Sequence, residues 1–237
     1  MQVKTKAIVL SSLKFNEKSL IVKCFTLSDG LKSYFVPNAF SSKKNNQKIA
    51  YFQPLTLLEI EANHKNKGTL EYFKELKIVN PFFTINTNVY KATIVLFVSE
   101  ILASCIQEEE KNESMFSFFE TALLWLDNQN EFSNFHLMFL LETTKFLGFY
   151  PDTSEIVNPY FEIIEGIFSP LQGTNCLSAH ETQLFKRLID LKFNSDQKVF
   201  SGIERQLLLK ILLSFYNSHL AGFRHPKSLD VLKEVFA

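Results

Sequence analysis

The stretch TKAIVLSSLKFNEKSLIVKCFTLSDGLKSYFVP, Thr5 to Pro37, alternates apolar and polar residues in three short runs parted by turn-forming residues. A period of two marks half-buried strands, because successive side chains of a strand point to opposite faces. In the first run Ala7 and Val9 share one side, with Lys4, Lys6 and Ile8 on the other; in the second, Leu20, Val22 and Cys24 fall together. Ser28-Asp29-Gly30 supplies the turn into the third run, since glycine accepts the positive φ that a tight hairpin demands. Three consecutive antiparallel strands are predicted.

Two more follow. Phe52 to Ala62 places Thr56, Leu58, Ile60 and Ala62 on one face, and Thr69 to Val79 places Leu70, Tyr72, Leu76 and Ile78 on one side. Between the third and fourth strands, Asn38 to Lys48 has no apolar period and reads as an exposed, lysine-rich loop. Five short strands within residues 1–80 suit a small closed barrel, because closure removes the sheet edges that invite aggregation. Strand counting does not separate the oligonucleotide-binding (OB) type from other five-stranded barrels.

Asn80-Pro81 ends the strands, since proline offers no ladder donor and restricts the residue before it. Beyond about Asn88 the apolar period becomes 3.6. Val89 to Ile106 is charged only at Lys91 and Glu100, which describes a helix covered on every side; its β-branched content leaves a strand as the alternative, and its length favours helix. Glu113 to Asp127 and Ser133 to Leu147 carry phenylalanines at helical spacing and complete a three-helix bundle. Gly148 sits where a left-handed C-cap is wanted, with Pro151 beyond it. Ser178-x-x-Glu181 and Ser201-x-x-Glu204 are capping boxes that open helices reaching Leu191 and about His219, and Ser228 caps a last short helix. Residues 150–176 are irregular, with a short hairpin at Tyr160 to Phe168.

Among 237 residues, 46% are hydrophobic and 25 are phenylalanine, enough aromatic area for a folded core. The zero net charge conceals an asymmetry. Residues 1–79 carry thirteen lysines against six acidic groups, a net +7, while the remainder carries twelve basic and nineteen acidic groups, a net −7. A basic module suits a polyanion, and an ordinary solvated lysine surface would show the same count. No secretory segment is recognised, and the most apolar run, Ala92 to Ile106, falls short of the roughly 20 residues that a membrane span needs. Three scattered cysteines form no disulfide framework, so a cytoplasmic protein is expected. No phosphate-cradling glycine loop, HExxH, G-x-S-x-G or dinucleotide fingerprint occurs; neither an enzyme nor a cofactor is expected.

At one end the AIVL strand, Phe15 to Ser19, Leu20-Ile21-Val22, Phe25-Thr26 and Gly30 resemble the bacterial recombination mediator family RecO. At the other, Arg205, Leu207 to Tyr216, His219 to Phe223 and Ser228 to Leu232 resemble its last two helices. The resemblance implies an α+β chain: an OB-type five-stranded barrel over 1–80, then an all-α helical domain over 81–237 with its irregular insert. It further implies a non-enzymatic, nucleoid-associated mediator that binds single-stranded and double-stranded DNA and anneals single strands. With RecR it would help load recombinase onto strands coated by single-strand DNA-binding protein, whose acidic C-terminal tail would dock on the helical domain. Many family members hold zinc with four cysteines in the insert. Here only Cys176 stands, at C-x3-H spacing from His180, and structural zinc needs four ligands, so no metal is expected.

Single-strand binders combine basic grooves with stacking rings. Lys32 and Tyr34, then Tyr72 and Lys74, each lie two apart on a strand and offer a phosphate contact beside a flat ring. Lys4, Lys6, Lys14 and Lys18 flank them, and Lys43, Lys44 and Lys48 occupy the loop. Each tyrosine is equally suited to core filling and each lysine to solvation. For the partner peptide the candidates are Arg187, Arg205 and Lys210, on helices rich in apolar neighbours, where packing is the competing role. The rival readings are an adaptor whose barrel grips a protein and a hydrolase with an unrecognised site.

Overall fold

The computed structural model describes residues 1–40, 49–65, 69–107, 109–193 and 199–236. Strands β1 (Gln2–Phe15), β2 (Ser19–Thr26), β3 (Gly30–Val36), β4 (Leu57–Asn63) and β5 (Tyr72–Ile78) form one antiparallel sheet in the order β3-β2-β1-β4-β5. The alternation seen in the sequence sets its inner face: Ala7, Val9, Leu20, Val22, Cys24, Leu58, Ile60 and Ala62 are buried in one cluster. A register shift between Val9 and Ser11 bends the long β1, which pairs with β4 through its first half and with β2 through its second.

The two end strands meet. Tyr34 of β3 and Glu71, just before β5, form a parallel bridge in which Phe35 N donates to Glu71 O and Glu71 N donates to Ser33 O, both at 2.8 Å. The sheet is thereby rolled into an OB-type barrel, an architecture that is partly open. The expected full closure is corrected: one bridge joins the ends, not a continuous ladder, because among the described residues only Glu71 reaches β3 with its backbone.

Two further expectations change. The fourth strand begins at Leu57; Ile49–Phe52 is a 3-10 turn whose Phe52 is buried in the barrel core, stacked on Phe73. In β5, Glu75 faces Glu61 but Phe73 faces Ala62, so Lys74 is a bulged extra residue. That extra residue exchanges the faces, so Phe73 before it and Leu76 after it both turn toward the core while Tyr72 is exposed; Ile78 shares the side of Leu76 and is exposed at the end of the strand.

The chain divides into two compact units, Met1–Asn128 with Pro226–Ser228, and Gln129–His225 with Leu229–Ala237. Asn80-Pro81 thus marks the switch from strand to helix, while the units part after Asn128. Helices α1 (Val89–Cys105) and α2 (Glu113–Asn128) stand with the strands in the first unit, and α3 (Phe135–Leu147) belongs to the second. Helix α1 is not covered all round: Val89, Tyr90, Ala92 and Leu96 are exposed. Uniform apolarity along a helix shows that it can be buried, not that every face is.

The crossing from β5 into α1 is latched by Asp127. Its carboxylate accepts from the N–H groups of Phe83, Thr84 and Ile85 at 2.8–2.9 Å, and the buried Lys91 donates to Thr84 Oγ1 and to the Asp127 carbonyl. Burial pushes the Asp127 carboxyl up, but the three N–H groups and the Thr84 hydroxyl outweigh it and hold the group below its ordinary range. Burial draws the Lys91 ammonium down, and the Asp127 charge acts against that shift. Ser228, the expected cap, immediately precedes the last helix and donates its N–H and hydroxyl to Glu100 at 2.9 Å, which explains a carboxylate within the apolar α1.

The second unit contains α3, the hairpin β6 (Tyr160–Glu162) and β7 (Ile167–Ser169), α4 (Ala179–Asp190), α5 (Gly202–His219) and α6 (Leu229–Val235). Gly148 caps α3 with φ 82°, and both capping boxes are present. The insert is held by rings: Phe161 lies 5.0, 4.8 and 5.7 Å from Phe168, Phe185 and Phe215, and His219 Nε2 meets the Ile163 carbonyl. Zinc does not fit this insert, because among the described residues no three His, Cys, Asp or Glu are grouped to hold an ion. Among those residues, too, no helix is long and apolar enough to cross a membrane.

Two outcomes follow from buried charge. Asp127→Ala strands three N–H donors and removes the charge facing Lys91; a loss of about 3 kcal/mol in urea unfolding is expected, and a loss within error would show the latch idle. His136 in α3 is fully buried, and burial, helped by the Arg205 charge, pulls its pKa down to about 3. The unfolded chain binds this proton below about pH 6.5, so stability is intact above that value and falls with acid until about pH 3. A His136→Phe variant should therefore show a shallower stability–pH slope between pH 6.5 and 4, whatever its constant offset.

Candidate nucleic-acid interface

The expected barrel residues separate into three groups. Lys32 and Tyr34 do share a face, but it is the inner one: they lie opposite Cys24 and Val22, both core residues. Lys32 is 5% exposed with its ammonium 2.6 Å from Glu109. Tyr34 is fully buried and stacked on Phe73 at 4.1 Å. Its hydroxyl pairs with His64 Nε2 at 2.8 Å, and His64 Nδ1 lies 3.2 Å from Asp29. Burial pushes the Tyr34 phenol far up, and nearby Cys24, Asp29 and Glu71 add to the shift. Tyr34 is corrected from a stacking ring to a core anchor, and Lys32 from a phosphate contact to a buried ion pair.

A second group is solvent-accessible but ion-paired. Lys4 and Lys77 both reach Glu59, at 3.5 and 2.8 Å, and Lys6 reaches Glu120 at 2.7 Å.

The third group lies open. Tyr72 is 47% exposed, Lys74 is exposed, and both border a groove of about 660 Å³ that also takes in Phe35, Tyr51 and Glu75. Lys14 and Lys18 are exposed, with the Lys14 ammonium 5.5 Å over the Phe40 ring. Lys65 sits 6.0 Å over Tyr72. Two rings of this face were missed in the sequence: Phe15, 43% exposed, meets Phe35 edge-on at 6.0 Å, and Phe35 meets Tyr72 edge-on at 5.9 Å. Phe35 was readable, since assigning Tyr34 inward forces its neighbour outward. Lys43, Lys44 and Lys48 lie outside the described residues.

In the second unit the three peptide candidates part. The Arg187 guanidinium binds Glu204 at 2.9 Å and the Val199 carbonyl at 2.6 Å, and Arg205 donates to the Phe200 carbonyl at 2.6 Å. Both fasten the chain entering α5. Lys210 is exposed on a separate groove of about 590 Å³ between α5 and α6, lined by Leu207, Leu213 and Leu229 with His225 and Lys233 at its edge, Lys233 lying 3.5 Å from Asp230.

Comparison with known proteins agrees with this layout. The family descriptions Recombination protein O N terminal and Recombination protein O C terminal match residues 1–82 and 87–229. The chain belongs to the recombination protein O (RecO) family. It is 66% identical over 237 residues to the DNA repair protein RecO of Flavobacterium johnsoniae, covering all of both chains. The DNA repair proteins RecO of Flavobacterium psychrophilum and Christiangramia forsetii are 66% and 40% identical over 238 residues, again over their whole lengths.

Within this RecO-family barrel the Tyr34–His64–Asp29 chain is structural. Tyr34→Phe leaves His64 without its hydroxyl partner and should cost about 1–2 kcal/mol in thermal or urea unfolding, while the outer face keeps its composition. An unchanged melting temperature would contradict this assignment.

Proposed function

We propose that this RecO-family chain is a non-enzymatic DNA-binding mediator of recombinational repair in the cytoplasm, acting at the nucleoid. The observation that carries the reading is the open ring-and-lysine face of a net-basic OB-type barrel. Lys14, Lys18 and Lys74 supply phosphate contacts there, with Lys4 and Lys6 at the paired flank and Lys43, Lys44 and Lys48 adding charge. Neutralising phosphates releases condensed counterions, which gives affinity for single strands and duplex alike without bond chemistry.

The α5–α6 groove supports the partner half of the proposal. Its apolar floor and basic rim suit an amphipathic acidic segment such as the C-terminal tail of single-strand DNA-binding protein, with Lys210 meeting a carboxylate. Holding both the strand and the tail of its coating protein, the chain would anneal complementary strands and, with RecR, exchange coating protein for recombinase.

A salt titration of oligonucleotide binding tests the DNA half. Three or four lysine–phosphate contacts predict a log–log slope of about −2 to −3 for single strands. No binding at low salt, or binding indifferent to salt, would refute it.

A further inference from the structure

The outer surface of the barrel is not uniformly polar. One part of it is covered: outward Phe25 of β2 is buried under Phe116 and Phe119 of α2, at 5.9 and 5.8 Å. The other part, at the far ends of β1 and β3, keeps Leu13, Phe15, Phe35 and Tyr72 at the surface, with Leu13 62% exposed. Apolar surface left in water is unfavourable, and an apolar patch rimmed by charge marks a contact site.

The rings are contiguous although their strands are distant in sequence. Phe15 ends β1, Phe35 lies in β3 and Tyr72 opens β5; the Tyr34–Glu71 bridge brings the last two side by side. Both contacts are edge-to-face, so each takes up one face of one ring and leaves that ring's opposite face outside the pair. The surrounding charge is mixed, with lysines in the majority. Lys65 and Lys74 border the rings and, like Lys18, make no ion pair among the described residues, in contrast to Lys4, Lys6, Lys32 and Lys77; Lys14, opposite the core residue Leu20, leaves β1 on the other face from Phe15. Glu17 and Glu75 are the opposing acids.

We infer that Phe15, Phe35 and Tyr72 form a stacking track for unpaired bases, so that ring contact adds a preference for single strands to a charge attraction that single strands and duplex share. This rests on the reading that the barrel is the nucleic-acid module. The occupant is set by what the surface offers: flat apolar faces in a row beside free ammonium groups. A single strand presents flat apolar bases beside a repeating anionic backbone. Duplex presents the same phosphates but hides its base faces within the stack, so it gains the charge term alone. An acidic peptide gains charge without three matching ring contacts.

The test uses the full chain and fluorescence anisotropy with oligo-dT and a duplex of equal length at several salt concentrations. Phe15→Ala, Phe35→Ala and Tyr72→Ala should each weaken oligo-dT binding by roughly fivefold to a hundredfold. Duplex affinity and both salt slopes should stay within twofold of the native chain, and Tyr72→Phe and Phe35→Tyr should bind as native. Alanine variants that bind oligo-dT normally, or that weaken oligo-dT and duplex equally, overturn the track and leave the DNA-binding reading intact. So would an acidic peptide that displaces oligo-dT from native and Tyr72→Ala chains alike. Failure of the native chain to bind either nucleic acid defeats the broader reading instead. Should Phe35→Ala lower the melting temperature, the half-exposed Phe15 and Tyr72 carry the test.

Discussion

Two hydrogen bonds between Ser33, Phe35 and Glu71 hold the ends of the sheet together, and the rest of the first unit is arranged about them. Without them β3 and β5 would be two separate open edges, the usual template for edge-to-edge association; the one bridge brings them together without pairing their full length. With them the inner face becomes an enclosed core, and Tyr34, at the bridge, stacks on Phe73 and anchors its hydroxyl on His64. A buried polar group of that kind is tolerated only because its partners are present. The same bridge fixes the outer face, since it sets Phe35 beside Tyr72 across a gap of 37 residues in sequence.

Charge is sorted around this frame. The net +7 of the first 79 residues is an average over lysines in different circumstances. Lys32 is buried against Glu109, while Lys4, Lys6 and Lys77 face carboxylates at the surface. The lysines beside the open rings are the ones whose charge is not locally offset. A polyanion would find its strongest attraction there, and membership in the RecO family supports DNA as that polyanion.

Much of the fold was legible because it is local. Alternation placed the strands, and glycine chemistry placed Gly30, where φ is 62° and a Cβ would sit 2.3 Å from the Glu110 carbonyl oxygen. Both capping boxes and the Gly148 cap follow from residues three or four apart. What escaped is non-local. A period of two says which residues share a side but not which side is inner, so Tyr34 was open to either role. The bulge at Lys74, which reverses the faces of β5, depends on pairing with β4. Lys32 and Glu109 are 77 residues apart, and no pattern in the chain announces their contact. The contacts of Phe35 with Phe15 and Tyr72 escaped for the same reason, because a track built across three strands exists only once the barrel is rolled.

The proposed seat of the strand is the outer barrel face near the bridge, not the second unit. Photocrosslinking of the full chain to a 5-bromouracil oligonucleotide, followed by peptide mapping, reads this directly. The account places the adducts on the peptides carrying Phe15, Phe35 and Tyr72. Adducts confined to residues 129–225 would contradict it.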